Sequence, residues 1–205
     1  MIAIIDYGAG NLRSVANAIE LLGYDAKITS SPDEVLSAEA VFLPGVGAAA
    51  DTVSSLKAHG LDKALREVIA NNTPFFAVCV GLQVLFEETE EGGGCRCLGL
   101  LPGKVRRLPV GIKVPHIGWN NVKKANPHPL FDGIAEDSFF YFVHSYYVEP
   151  SSQSEVIGVT EYGKTFASAI ARGNMVATQF HPEKSGAIGL KMYGNFLKSA
   201  IRGNL

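Results

Sequence analysis

The sequence predicts an α/β protein, an open three-layer sandwich with a mainly parallel sheet and antiparallel additions in its second half. In the first half, short apolar runs alternate with amphipathic stretches, which is typical of a parallel sheet covered on both faces. In the second half, strand-like runs follow one another closely, which favours antiparallel pairing through turns. The 205 residues, 47% hydrophobic and 19% charged, predict a single domain over residues 1–205.

Four short runs in the first half are predicted to form strands, the first of them buried: Ile2–Ile5, Ala26–Thr29, Ala40–Leu43 and Phe75–Val78. An amphipathic helix lies between the first two, with Asn11 as its expected cap and Gly23 at its end, where a left-handed residue is often needed. The Pro in residues 31–34 suits the first turn of another helix. A further helical stretch follows the loop at residues 44–47 and extends to about Asn71.

The second half contains six predicted strands, at residues 105–108, 112–114, 139–143, 155–159, 166–171 and 175–180. A turn at residues 172–174 is expected to join the last two strands in antiparallel fashion. Helical periodicity returns from Leu190 to Ile201. Residues 90–94, rich in Glu and Gly, are predicted to form a surface loop and not a domain boundary.

Charge and hydropathy exclude several classes of function. Eighteen Lys and Arg against 20 Asp and Glu give a formal charge of -2, so there is no basic surface for nucleic acid or an anionic membrane. No apolar run reaches the roughly 18 residues that a membrane span needs. The start lacks the basic region of a signal peptide. We expect a cytoplasmic protein.

The cysteines and glycines predict neither a metal nor a cofactor. Cys79, Cys95 and Cys97 are too few and too unevenly spaced for a disulfide framework, which favours a reduced setting. Cys95 and Cys97 have the wrong spacing for a zinc knuckle, and no matching pair exists. Residues 6–11 resemble the start of a dinucleotide fingerprint, but Arg13 stands where the third glycine belongs, which excludes nicotinamide binding.

Cys79 is the candidate nucleophile. It stands between an apolar strand and a predicted helix, and the small residues Ala77 and Gly81 on either side permit the strained strand-to-helix turn that exposes a side chain. The N-terminus of the following helix is expected to favour the thiolate. A buried structural cysteine is the alternative interpretation of this pattern.

A nucleophilic cysteine needs a base and a group that orients the base. His181 and Glu183 lie two residues apart after a predicted strand, in a loop stiffened by Pro182. Because the carboxyl ends of parallel strands gather at one edge, both can lie beside Cys79. Taken alone, this tripeptide is more typical of a capped surface loop.

Two further segments suit a site of this kind. The glycine-containing loop at residues 44–47 can turn backbone N–H groups toward an oxyanion, together with the N–H of Val80, although a plain strand-to-helix turn explains it equally well. Residues 115–120 carry the only Trp, and residues 140–147 are dense in aromatic side chains. An exposed Trp119 suits a protein–protein contact.

Together, the Cys79 turn, the loop at residues 44–47 and the segment at residues 181–183 resemble the class I, triad-type glutamine amidotransferases, whose domain is flavodoxin-like. Residues 6–12, 43–47, 115–120 and 181–185 are further similar to the glutaminase subunits of imidazole glycerol phosphate synthases. The spacing of these segments matches from one end of the chain to the other.

The resemblance implies a glutaminase that forms a heterodimer with a cyclase subunit of (β/α)8 barrel fold in histidine biosynthesis. Glutamine is hydrolysed to glutamate and ammonia, and the cyclase uses the ammonia to make imidazole glycerol phosphate and an aminoimidazole carboxamide ribotide. The implied catalytic residues are Cys79, His181 and Glu183. Such glutaminases turn over glutamine poorly until the partner binds its ligand, which implies a resting oxyanion loop that is out of position.

The resemblance also assigns the remaining site residues. Oxyanion donors are Val80, Val46 and Gly47. Glutamine is held by Gly45, Gln83, Glu91, His144, Ser145 and Tyr146. The partner interface includes Asn11, Trp119 and Lys184. The sequence departs from the family pattern at Ala77, where glycine is usual, and at Val80, where leucine is common; we expect a negative φ at Ala77, which makes the first change nearly neutral.

Three alternatives remain open from the sequence. The glutaminase subunit of another synthase, such as pyridoxal phosphate synthase, has the same triad but lacks the signature at residues 115–120. A related cysteine hydrolase would use Cys79 on a different acyl substrate. A non-catalytic binding protein on the same fold would have no need of Cys79, His181 and Glu183 together.

Overall fold

The computed structural model describes residues 1–202, so the last three residues of the domain predicted over 1–205 lie outside the described residues, as does the side chain of Ile201. The described chain contains six α-helices: α1 (Leu12–Leu21), α2 (Pro32–Leu36), α3 (Ala49–Ala58), α4 (Leu61–Ala70), α5 (Val80–Gln83) and α6 (Gly186–Arg202). It also contains thirteen strands: β1 (Ile2–Ile5), β2 (Ala26–Thr29), β3 (Ala40–Leu43), β4 (Phe75–Val78), β5 (Glu88–Thr89), β6 (Cys95–Arg96), β7 (Gly103–Arg107), β8 (His116–Lys124), β9 (Ser138–His144), β10 (Tyr146–Pro150), β11 (Val156–Glu161), β12 (Thr165–Arg172) and β13 (Met175–Thr178).

The strands form one sheet in the order β2-β1-β3-β4-β13-β12-β10-β7-β5-β6. Strands β1 to β4 and β13 pair in parallel, whereas β12 pairs antiparallel with β13, β10 and β11. β11 continues to β8, which forms a long antiparallel pair with β9. The predicted fold class, a mainly parallel sheet with antiparallel additions in the second half, is confirmed.

The centre of the sheet is buried by aromatic packing against α6. Phe42 of β3 and Phe76 of β4 stack with ring centroids 5.4 Å apart. Tyr193 and Phe196 of α6 meet both rings edge-on at 5.1 to 5.5 Å. α1 contacts α6, and α2 and α3 both contact α4, so the helices form two groups. Among residues 1–202, no helix has the length and apolar character needed to cross a membrane.

Several sequence predictions need correction. Residues 112–114 do not form a strand, because they belong to a turn that contains Gly111 at φ +89° and ends at Pro115. The helical stretch expected from residue 48 to Asn71 is two helices, α3 and α4, separated at Gly60, which has φ +70°. The side chain of Asn11 makes no capping hydrogen bond to α1. Gly23, by contrast, ends α1 in the predicted left-handed conformation at φ +85°.

The sheet brings three chain segments to one edge. β3, β4 and β13 are consecutive neighbours and run in parallel, so their carboxyl ends lie side by side. The loop at residues 44–47 follows β3, Cys79 follows β4, and residues 179–181 follow β13. The strand order alone therefore places the predicted nucleophile, base and oxyanion loop together.

The aromatic cluster makes a stability prediction. Phe196→Ala is expected to lower the free energy of unfolding by about 3–5 kcal/mol, because the ring is fully buried and its neighbours on the sheet cannot fill the cavity. Urea unfolding followed by circular dichroism measures the change. Phe139→Ala is the matched control, since that ring is 58% exposed, and it should stay within about 0.5 kcal/mol. Equal losses in the two variants would contradict this account of the core.

Candidate active site

The predicted nucleophile sits on a strained turn. Cys79 has φ +54° and ψ -110°, a conformation that residues with a β-carbon rarely adopt. Its N–H donates to the carbonyl of Thr178 at 2.7 Å, which ties the turn to β13. Ala77 lies inside β4 and is not among the residues with positive φ, so the strain is confined to Cys79. The helix expected after Cys79 is only the single turn α5, so its dipole acts weakly on the sulfur.

Two glycines allow the loop at residues 44–47, the predicted oxyanion loop, to lie in direct contact with the Cys79 turn. A β-carbon on Gly45 would lie 2.1 Å from the backbone nitrogen of Gly81, and one on Gly81 would lie 2.3 Å from the carbonyl oxygen of Leu43. Neither position tolerates a side chain, because the two backbones are in direct contact. Gly47 is needed for a different reason, because its backbone has φ +94°, which residues with a β-carbon rarely adopt.

His181 and Glu183 form a buried pair. His181 Nδ1 lies 2.7 Å from Glu183 Oε1, and the two side chains are 1% and 2% exposed. The Tyr193 hydroxyl donates to Glu183 Oε2 at 3.3 Å. The backbone of His181 is fixed as well, because its N–H donates to the carbonyl of Tyr141 at 2.9 Å and its carbonyl accepts from the Ser185 hydroxyl at 2.7 Å.

The environment of His181 favours its protonated form. Burial lowers the pKa of His181, but the contacts with the Cys79 sulfur and the Glu183 carboxylate together outweigh it and raise the pKa to about 9. Since Nδ1 is bonded to Glu183, the other ring nitrogen, Nε2, is the one available for proton transfer. Nε2 is buried and makes no hydrogen bond within residues 1–202. Cys79 lies beside it, but the two groups are not in hydrogen-bond geometry.

A cavity of about 320 Å³ opens in front of Cys79. Glu183 is the one predicted triad residue that does not line it, because it stands behind His181. Lys184, predicted at the partner interface, lines the cavity, whereas Asn11 and Trp119 do not. The wall is formed by Gly45, Val46, Gly47, Cys79, Val80, Gln83, Glu91, Pro115, Val143, His144, Ser145, Tyr146, His181 and Lys184. All the predicted oxyanion and substrate residues are therefore brought together.

Glu91 provides negative charge on the cavity wall and is anchored by one oxygen. Its Oε2 accepts the backbone N–H of Ala49 at 2.6 Å, at the first turn of α3, where the helix dipole favours a carboxylate. Its second oxygen makes no hydrogen bond in the described part of the chain. A carboxylate in this position suits the α-ammonium group of an amino acid.

Both ring nitrogens of His144 form hydrogen bonds within the protein. His144 Nδ1 donates to the carbonyl of Tyr146 at 2.8 Å, so Nε2 must accept, and it does so from His116 Nδ1 at 2.9 Å. The Asn120 amide is 3.4 Å from His116 Nε2. Burial lowers the pKa of His144 to about 3 and that of His116 to about 4, so both rings are neutral. Only the backbone around His144 is left to face a substrate.

The sequence did not point to two groups that contact the sulfur. Gln179 Nε2 lies 3.5 Å from Cys79 Sγ, and the carbonyl of Val143 lies 3.7 Å from it on another strand. A polar Gln at the end of an otherwise apolar strand was the available signal for the first, since buried polar groups require partners. The contact from Val143 is made by its backbone carbonyl, so no side-chain type in the sequence indicates it.

The other two cysteines lie away from the cavity, and the described part of the chain forms no metal centre. Burial, followed by the neighbouring Cys95, raises the pKa of Cys97 to about 12. Neither residue lines the cavity. Across residues 1–202, no group of three or more His, Cys, Asp or Glu side chains is arranged to hold a metal ion.

The family model of the class-I glutamine amidotransferases matches residues 3–200. This chain belongs to the class-I glutamine amidotransferase family. Solved structures agree on the fold: a glutamine amidotransferase crystal structure covers 98% of this chain with a TM-score of 0.77 at 19% identity, and 99% of that chain is matched. PurLQS from Thermotoga maritima covers 96% of this chain and is matched over 97% of its own, with a TM-score of 0.78 at 17% identity.

Several curated relatives of this amidotransferase carry the name imidazole glycerol phosphate synthase subunit HisH. The protein from Dehalococcoides mccartyi (strain CBDB1) is 56% identical over 201 residues, covering 98% of each chain. Those from Moorella thermoacetica and Herpetosiphon aurantiacus are 53% and 52% identical, over 95% and 98% of this chain and 93% and 95% of their own.

The His181–Glu183 pair makes the stability of this amidotransferase depend on pH. A pKa of His181 raised from 6.5 to about 9 means that the folded state holds the proton more tightly than the unfolded state. The resulting stabilisation is complete below pH 6.5 and is lost as the pH rises through 9. Glu183→Gln should lower the pKa of His181 and reduce this loss, which is at most about 3 kcal/mol in the wild type.

Urea unfolding at pH steps from 6 to 10, with NMR titration of the His181 ring, measures both effects. Tyr193→Phe is the control, because it removes only the hydroxyl on Glu183 Oε2 and keeps the carboxylate. A His181 pKa that is the same in the wild type and in Glu183→Gln would contradict the role given to this carboxylate.

Proposed function

We propose that this chain is the glutaminase subunit of an imidazole glycerol phosphate synthase and hydrolyses glutamine to glutamate and ammonia. The observation that carries the proposal is the buried His181–Glu183 pair beside Cys79, at a cavity of amino-acid size. The family match over residues 3–200 supports treating residues 1–205 as a single amidotransferase domain. The shared name of relatives at 52–56% identity favours this synthase over pyridoxal phosphate synthase.

The first half of the reaction forms a thioester. His181 Nε2, which lies beside Cys79, takes the proton of the thiol, and the raised pKa of His181, about 9, favours keeping it on the ring. Sγ attacks the side-chain amide carbon of glutamine, the C–N bond breaks, and His181 Nε2 delivers its proton to the departing ammonia. Glu183 holds the ring through Nδ1 and stabilises its positive form.

The second half consumes water. His181 Nε2 removes a proton from the water, the water oxygen attacks the thioester carbon, and the C–S bond breaks to release glutamate and restore Cys79. The backbone N–H groups of Val80 and Gly47 bond to no acceptor within residues 1–202, so both are free to donate to the tetrahedral oxyanion.

The third proposed oxyanion donor, Val46, lies in a loop that we propose is out of position in the resting state. The N–H of Val46 bonds to no acceptor within residues 1–202. The nearby Tyr7 hydroxyl is buried, which raises its pKa, and it also has no hydrogen-bond partner among these residues. No hydrogen bond in the described chain therefore holds the Val46 peptide in the orientation that oxyanion binding needs. Rotation of this peptide would complete the oxyanion site, and Gly45 and Gly47 flank it on both sides.

The outer face of the β8–β9 pair supports a partner interface. Ile117, Trp119 and Phe139, the apolar face, are 56%, 55% and 58% exposed. Trp119 packs edge-on against Tyr141 at 6.1 Å, and Lys184 Nζ lies 5.9 Å from the Tyr141 ring. Since Lys184 also lines the cavity, it joins the proposed glutaminase site to this face.

The proposed partner is a cyclase subunit of (β/α)8 barrel fold. The two subunits would form a heterodimer, and the cyclase would receive ammonia near Trp119. The side chain of Asn11 at the start of α1 makes no capping bond and is free to join the same interface. We also propose a cytoplasmic setting, which suits the free cysteines of the described chain.

Cys79→Ala is expected to abolish glutamine hydrolysis, by about 10³-fold or more, because the thioester cannot form. Synthesis by the complex from added ammonia should persist, since the cyclase needs only ammonia. Both activities are measured in the assembled complex, with Cys95→Ala as the matched control. Loss of both activities in a folded Cys79→Ala complex would contradict the proposed division of labour.

Trp119→Ala is expected to weaken binding of the barrel subunit by about 10- to 30-fold, because a large exposed aromatic ring at the centre of the apolar face is lost. Isothermal titration calorimetry measures the affinity. Val110→Ala is the control, since Val110 is fully exposed outside this face. Equal affinities for the two variants would place the partner elsewhere.

A further inference from the structure

A row of buried amides leads from the wall of the cavity to the nucleophile. Gln179 follows β13, is fully buried, and points its Nε2 at Cys79 Sγ from 3.5 Å. We propose that Gln179 is a catalytic residue of the glutaminase reaction, whose side-chain N–H stabilises the Cys79 thiolate, and that Gln83 holds it in this orientation. The proposal rests on the proposed glutaminase function and adds to it a residue outside the triad.

The hydrogen-bond pattern fixes which end of the Gln179 amide faces the sulfur. Gln83 Nε2 donates to the carbonyl of Tyr146 at 2.9 Å, and a carbonyl can only accept. The same nitrogen donates to Gln179 Oε1 at 3.1 Å. A flipped Gln179 would set two NH₂ groups against each other, so its nitrogen must face Cys79.

The two contacts on the sulfur favour opposite protonation states. The carbonyl of Val143 accepts from an S–H group at 3.7 Å and therefore favours the thiol. The Gln179 N–H donates to the sulfur and favours the thiolate. Because Cys79 is buried and α5 is a single turn with a weak dipole, the shorter contact from Gln179 is an important source of stabilisation beside His181.

The same row connects the sulfur to the substrate site. Gln83 and Tyr146 both line the cavity, and the carbonyl of Tyr146 also accepts from His144 Nδ1. Glutamine bound against Gln83 would polarise its amide, and hydrogen bonds in series strengthen one another. Occupancy of the cavity is thereby transmitted to the nucleophile through two side chains.

The test is alkylation of Cys79 by iodoacetamide as a function of pH, on the full chain, followed by mass spectrometry of the Cys79 peptide. Gln179→Met keeps the length of the side chain but removes the donor, so the rate at pH 7 should fall about tenfold and the profile should move to higher pH. Gln179→Glu keeps the shape and places an acceptor against the sulfur, so its rate should fall further. In the complex, kcat should fall while KM changes little.

Thr178→Val is the matched control. Thr178 precedes Gln179, and its buried hydroxyl donates to the carbonyl of Phe180 at 2.9 Å without contacting the sulfur. Its alkylation profile should match that of the wild type. Rates for folded Gln179→Met and Gln179→Glu within twofold of the wild type, or an equal loss in Thr178→Val, would overturn the proposal.

Alkylation requires neither glutamine nor the partner, so its outcome is separate from that of the proposed function. If the profile responds to Gln179 but no mixture hydrolyses glutamine, the proposed glutaminase function fails and the contact with the sulfur stands. If glutamine is hydrolysed and the profile does not respond, the role of Gln179 is rejected and the function stands.

Discussion

The direct contact between the backbones of Gly45 and Gly81 is the constraint on which the site depends. It brings the loop after β3 onto the turn after β4, at a distance that any β-carbon would prevent. Cys79 can keep its strained conformation because this contact and its N–H bond to Thr178 hold the turn from two sides. The free N–H of Val80 and the cavity in front of Cys79 both follow from this arrangement.

The sequence predicted best the short parallel strands of the first half, since β1 to β4 were predicted to the residue. β1, β3 and β4 are buried on both faces and are therefore unbroken apolar runs with clear ends. β2 is a partly exposed edge strand that contains Lys27, and polar residues on either side mark its ends. β8 and β10 were missed, since one face of each is polar or exposed and β8 contains Gly118 and Asn120. Residues 112–114 alternate apolar and charged side chains as a strand would, but they lie between turn residues, and the turn determines their conformation.

The sequence could predict those parts of the candidate site that lie directly after the ends of parallel strands. Cys79 and His181 follow neighbouring parallel strands, so topology alone brings them together. Gln179 and His116 were not predicted, because their partners lie 100 and 28 residues away and local pattern carries no record of such contacts. Gln83 was predicted to bind substrate, and the structure adds that its amide nitrogen is already used by Tyr146 and Gln179.

The two faces of the β8–β9 pair have different surroundings, since one faces outward and the other packs behind the cavity. Trp119 and Tyr141 stand opposite each other facing outward, while His116 and His144 stand opposite each other facing inward, behind the cavity. Because side chains alternate along a strand, one inserted residue in β8 would send the aromatic ring into the core and the imidazole into water. This strand pair must therefore keep its register, since a single slip would displace both the proposed docking face and the rings behind the cavity.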